Sequence, residues 1–225
     1  MMISSTGLRV RKWLLMPICL AIAFAGHAAV DEGGVLTASE VFAEAPLEVL
    51  EMLRPSVRLD MLDYYTQADS LVTVVNALGG ESRLEQVEPD YLKLSVSPVS
   101  TLEIKVLPLG RKQIVMTLYT VGGEDMAKDT EVRFFDSRLQ PLETAKYIKA
   151  PDLADFFSLK GSGISDEELR EKVPYAAVVY STGPGDAPLT AALTTLDVLS
   201  QEDRDLLKPL QHPVLSARWK GAFKY

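Results

Sequence analysis

The sequence predicts an α+β fold: an antiparallel sheet meander with short helices packed on one face. Three observations carry this expectation. Runs of alternating apolar and polar residues between residues 92 and 134 have the period of half-buried strands. The connections between them are a few residues long, which favours antiparallel neighbours. Hydroxyl–x–x–carboxylate spacings begin at Thr37, Ser165 and Ser200, on both sides of the runs, and mark helix starts. Helices segregated from an antiparallel sheet are an α+β layer arrangement.

In chain order, Thr37-Ala38-Ser39-Glu40 reads as a capping box. Val41, Phe42, Ala45, Val49, Leu50 and Leu53 follow at helical spacing, with Pro46 opening a second helical segment and Pro55 ending it. Ser56 caps a further stretch over residues 57–65. There Leu59, Met61, Leu62 and Tyr65 are expected to face inward, and Arg58, Asp60 and Asp63 outward. Residues 71–76 are β-branched and read as a strand, with Gly79-Gly80 as a turn.

The central runs are the clearest. Leu92, Leu94 and Val96 alternate with Lys93, Ser95 and Ser97, and Leu102, Ile104 and Val106 with Glu103 and Lys105. Ile114, Met116 and Leu118 share a face of the next run, and Val132 and Phe134 a face of a fourth. In the last third, residues 151–157 suit a short helix. The helix capped at Ser165 stops before Pro174, and the one capped at Ser200 closes at Pro209. Residues 175–180, 189–196 and 214–219 are strand candidates, with Trp219 packing on the sheet. We expect residues 29–225 to form a single α+β domain. The element order also suits two diverged helix-plus-meander halves meeting near residue 145.

The first 28 residues read as a cleavable leader. Arg9, Arg11 and Lys12 precede an uncharged apolar run over residues 13–24, and small residues follow. Gly26 and Ala28 suit the small-residue pockets of the peptidase, placing the cut after Ala28. The run is shorter than the roughly 20 residues a membrane span requires. Cys19 follows bulky Ile18, so it fits the apolar run better than a lipid-attachment site, and it leaves with the leader. The leader holds three basic and no acidic residues, so a net charge of −8 becomes −11. An acidic chain repels phosphate backbones, and nucleic acid is not an expected partner. No cofactor motif is present.

Catalytic constellations are sparse. His212 would be the one mature histidine, and no Gly-x-Ser-x-Gly elbow supplies it with a nucleophile. Without cysteine, and with one histidine, a zinc or copper site lacks ligands, and no acidic loop has the calcium-hand pattern. Gly161-Ser162-Gly163 and Gly183-Pro184-Gly185 lack the features of phosphate loops. The most concentrated polar group beside an apolar segment is Arg58, Asp60 and Asp63. Two carboxylates at i and i+3 share a helical face. That group reads either as a ligand or acid–base site or as a solvated face with an ion pair.

Several motifs in order resemble one family. They are Arg58-Leu59-Asp60-Met61-Leu62-Asp63; Gly79-Gly80 before Leu84 and Asp90-Tyr91-Leu92; Phe134-Phe135-Asp136; and Leu199-Ser200-Gln201-Glu202-Asp203 before Trp219-Lys220-Gly221. The series resembles a family of exported Bacteroidetes proteins classified only as a domain of unknown function. The resemblance implies a periplasmic or surface setting in a Gram-negative envelope, and it carries no activity or site residues.

The expectation for function is therefore a non-catalytic binding module of the cell envelope, whose partner is an envelope protein or ligand of unknown identity. Two alternatives stand beside it: a hydrolase of glycan or peptide using paired carboxylates, and a self-associating structural protein.

Overall fold

The alternation of the central runs is realised as a seven-stranded antiparallel meander. The computed structural model describes residues 35–67, 72–123 and 126–225. The leader, its cut at Ala28 and Cys19 lie outside them, as does the expected strand start at residue 71. Strands β1 (Thr73–Val75), β2 (Glu81–Glu88), β3 (Tyr91–Ser97), β4 (Ser100–Leu109), β5 (Lys112–Val121), β6 (Asp129–Asp136) and β7 (Pro141–Leu142) pair in chain order. The short connections do what their length predicts. Gly110, first of the two residues joining β4 to β5, has φ 63°, as the first position of a type II′ hairpin turn requires. Asn76 organises the β1–β2 turn. Its Oδ1 accepts from Leu78 N and Gly80 N, while its Nδ2 donates to Ser82 Oγ and Val96 O.

Two helices precede the meander. Helix α1 (Ala38–Glu44) starts at the expected capping box, with Thr37 Oγ1 accepting from Glu40 N at 3.2 Å and Glu40 Oε2 accepting from Thr37 N at 2.8 Å. Residues 46–53 form successive turns closing on Pro46 O and Leu50 O, not the second helical segment expected after Pro46. Pro55 opens helix α2 (Pro55–Gln67) instead of ending one; its missing N–H costs nothing at a first helical position.

This start turns the helix relative to expectation. Arg58 is fully buried and Leu59 is half exposed, the reverse of the assigned facing. Met61 is buried as expected, and Asp60 and Asp63 are exposed. The reason lies in α1. The Phe42 carbonyl would be satisfied by the N–H four residues on, but that residue is Pro46, which has none. Arg58 Nη1 supplies the bond at 2.8 Å.

After the meander the chain forms β8 (Ile148–Lys149), a 3-10 turn over Leu153–Phe156 and α3 (Asp166–Lys172). It continues through β9 (Val178–Ser181), β10 (Leu189–Leu193), α4 (Gln201–Leu207), β11 (Leu215–Ala217) and β12 (Phe223–Lys224). Strands β11-β10-β9 make a second antiparallel sheet, and β12 pairs with β8 in parallel. The expected caps are present: Ser165 Oγ accepts from Glu168 N and Ser200 Oγ from Asp203 N, both at 3.1 Å. Trp219 donates Nε1–H to Pro108 O at 2.6 Å and packs beside Tyr147 and Phe223. The described residues all belong to one compact unit.

Both faces of the large sheet are covered. On the first, Leu92, Leu94, Leu102, Ile104, Val106, Val115 and Phe135 pack against Val41, Phe42, Leu50, Leu53 and Met61. On the second, Ile114, Met116, Leu118 and Phe134 pack against Phe156, Leu169, Leu189, Leu196, Leu207 and Phe223. Each fully buried Phe or Leu contributes about 1.5–3 kcal/mol. The central strands are thus buried on two sides, and the alternating Glu103 and Lys105, which read as a solvent face, lie inside at 5% and 2% exposure.

Candidate functional site

The sheet register builds a cleft on its first face. Cross-strand rows run Leu94–Leu102–Tyr119–Glu131 and Leu92–Ile104–Thr117–Arg133 across β3 to β6. Alternation keeps each row on one face. Helix α1 packs over β2, β3 and β4. The two rows begin there in buried Leu92 and Leu94 and end on β6 in exposed Glu131 and half-buried Arg133. The turns of residues 46–53 form the opposing wall, seated by buried Leu50 and Leu53 and tied to the β1–β2 turn by Ala77 N donating to Met52 O at 2.9 Å.

Between wall and sheet lies a cleft of about 360 Å³. Its floor is Leu94, Val96 and Leu102, and Thr117, Tyr119, Glu131, Arg133, Glu48, Glu51 and Met52 line its sides. Arg133 is half buried and its Cζ sits 5.1 Å from the Phe135 ring centroid, a cation–π arrangement that fixes the guanidinium. Among the described residues Arg133 forms no ion pair, although three glutamates line the same cleft.

The structure does not bring Arg58, Asp60 and Asp63 together as one site. Arg58 points into the protein, where burial lowers its pKa, and its Nε and Nη2 have no hydrogen-bond partner. Asp60 and Asp63 lie on the exposed side of α2, and neither lines the cleft. The expected cluster is thus a buried cation and two surface carboxylates.

His212 does meet a serine. Ser158 Oγ and His212 Nε2 are 3.2 Å apart, both exposed. Their neighbours explain the proximity: His212 N donates to Phe156 O and Ser158 N to Leu210 O, so a local bridge aligns the two segments. Among the described residues no carboxylate hydrogen-bonds the imidazole, so the orienting acid of a nucleophilic triad is missing.

A buried polar network on the second face holds the Gly183-Pro184-Gly185 loop. Lys105 Nζ donates to Asp90 Oδ2 at 2.6 Å, Gly183 O at 2.8 Å and Gly185 O at 2.7 Å, using all three protons. Glu103 accepts from Ser181 Oγ at 2.8 Å and Thr182 N at 3.0 Å. Burial, then the charge and hydrogen bond of Glu103, push the Tyr91 hydroxyl pKa far up, so it stays protonated. This network is a clasp between the large sheet and the loop joining β9 to β10. Among the described residues, no group of three His, Cys, Asp or Glu is placed to hold a metal ion, and no helix is long and apolar enough to cross a membrane.

The cleft residues on β5 and β6 were not singled out from the sequence. Their signal was available in part: Tyr119 and Arg133 follow the alternation that sets the neighbouring strands. What covers them is set by pairing with distant segments.

Residues 34–223 match a family described as a protein of unknown function, DUF3256. A comparison with curated proteins finds no match. Among solved structures, a domain of an uncharacterized protein from Porphyromonas gingivalis W83 superposes with a TM-score of 0.71 at 18% sequence identity, covering 83% of this chain and 96% of that one. At that identity the likeness shows a shared fold alone.

Proposed function

From the premise that the chain belongs to the DUF3256 family, we propose that it is a non-catalytic binding module of a Gram-negative cell envelope. One observation carries the reading: the cleft between residues 46–53 and strands β3 to β6 combines an apolar floor with a few fixed polar groups. That combination is the usual make-up of a ligand site. The acid–base alternative has less support, since Asp60 and Asp63 stand outside the cleft. Export is supported by the basic, apolar, small-residue order of residues 1–28. The exported protein is expected to begin at Ala29, or within a residue of it.

The binding reading is tested by native mass spectrometry of the purified chain after incubation with periplasmic extract. A bound species is expected on the wild type. It should be lost from Met52→Trp, which fills the cleft, and kept by the double variant Asp60→Asn with Asp63→Asn. Retention in a folded Met52→Trp variant would remove the cleft from the function.

A further inference from the structure

Three carboxylates and one guanidinium line the same small cleft, and among the described residues none of them forms an ion pair. Glu131 and Arg133 lie two residues apart on β6, facing the same way. Glu48 and Glu51 stand on the opposite wall. Glu48, Glu51 and Glu131 are exposed and Arg133 is half-buried, so all four charges reach the cleft from its open rim. Arg133 lies over Phe135, and Glu48 and Glu51 are carried by a turn segment anchored through Leu50 and Leu53. The result is an apolar floor with a cation at one place on its rim and anions at others.

We infer that the cleft takes a zwitterionic apolar ligand of the amino-acid class, a free amino acid or short peptide. Its carboxylate meets Arg133, its ammonium meets the rim glutamates, and its apolar side chain lies on Leu94, Val96 and Leu102. This deepens, and rests on, the proposal that the cleft is a binding site.

Each part follows from a different group. A guanidinium offers a planar fork that matches a carboxylate with two parallel hydrogen bonds. A ligand with only an anionic group would satisfy Arg133 and face three glutamates. One with only a cationic group would pair with the glutamates and meet Arg133 with like charge. A phosphate ester, with its larger negative charge, is disfavoured further by the same glutamates. A ligand with both charges a few ångströms apart satisfies both sets. A cleft of about 360 Å³ is near the lower end of small-ligand sites, which run from roughly 300 to 1,000 Å³. That is room for one or two residues.

The test is isothermal titration of the purified chain with L-leucyl-L-leucine, its N-acetyl form and its C-terminal amide. The free dipeptide is expected to bind, and each blocked form to bind about ten-fold more weakly or worse, the loss of one charge-assisted contact. Arg133→Gln, checked for folding by circular dichroism, should no longer distinguish the free acid from the amide while still rejecting the N-acetyl form. Equal binding of all three peptides would keep the cleft as a binding site and overturn the zwitterion inference. Unchanged discrimination in Arg133→Gln would overturn it too. So would no binding of any of the three, with the binding-module reading then decided separately by the Met52→Trp comparison in periplasmic extract.

Discussion

Arg58 Nη1 donates to the Phe42 carbonyl at 2.8 Å and so completes a helix end that Pro46 leaves open. The contact joins α1 to α2 and explains why a cation lies fully buried on a helix whose other charges face water. Its Nε and Nη2 have no partner, so Arg58 supplies one needed bond and carries two desolvated donors.

Two substitutions separate those effects. Arg58→Ala removes the bond and opens a cavity, with an expected loss of about 3 kcal/mol. Arg58→Met keeps most of the volume and removes the desolvated charge, so its loss should stay within about 1 kcal/mol. Urea unfolding measures both. Equal losses would show that the hydrogen bond, not volume and charge burial, dominates at this position.

Lys105 is the centre of the clasp over the second face. Lys105→Met leaves two loop carbonyls and the partly exposed Asp90 without their partner and is expected to cost about 1–3 kcal/mol. Hydrogen exchange should quicken first at the Gly185 amide, which donates to Asp90. Unaltered protection there would mean that the loop is held by something other than the lysine.

The Lys172–Asp203 pair, 2.9 Å apart, ties α3 to α4 and gives a pH dependence. Hydrogen bonds from Lys172 and then Ser200 lower the Asp203 pKa, and the bond to Asp203 raises that of Lys172. A lowered carboxyl contributes stability that is present above its unfolded pKa, near 3.9, and is lost as pH falls through its folded value. A raised ammonium contributes stability present below about 10.4 and lost as pH rises through its folded value. The pair should therefore help throughout the neutral range and fail at both extremes. Thermal melts from pH 3 to 11 should show the difference between wild type and Lys172→Met shrink toward the acid end. A constant difference down to the lowest pH would rule the pair out as its source.

The sequence made the meander legible because its information is local. Leu92 to Val106 alternate cleanly, and two-residue connections leave only antiparallel pairing. The same holds for the caps at Thr37, Ser165 and Ser200. Strand β2 was missed because its alternation mixes Ser82 and Leu84 with Gln86, a weak apolar signal broken by a register shift between Leu84 and Gln86. The facing of Arg58 was missed because its cause, an orphaned carbonyl at Phe42, lies 16 residues away. Glu103 and Lys105 looked like a solvent face because the loop that buries them lies nearly 80 residues on. The cleft was hidden for the same reason: its sheet side is set by register across four strands, and its far wall by turns that read as helix.

The measurement closest to the central reading is an amide chemical-shift titration of the 15N-labelled chain with L-leucyl-L-leucine. The expected shifts fall on residues 48–53, 117–119 and 131–133, with Asp60, Asp63 and the Ser158–His212 pair unmoved. Shifts centred on the exposed face of α2, or at His212, with the cleft amides still, would contradict the assignment of the cleft as the binding site.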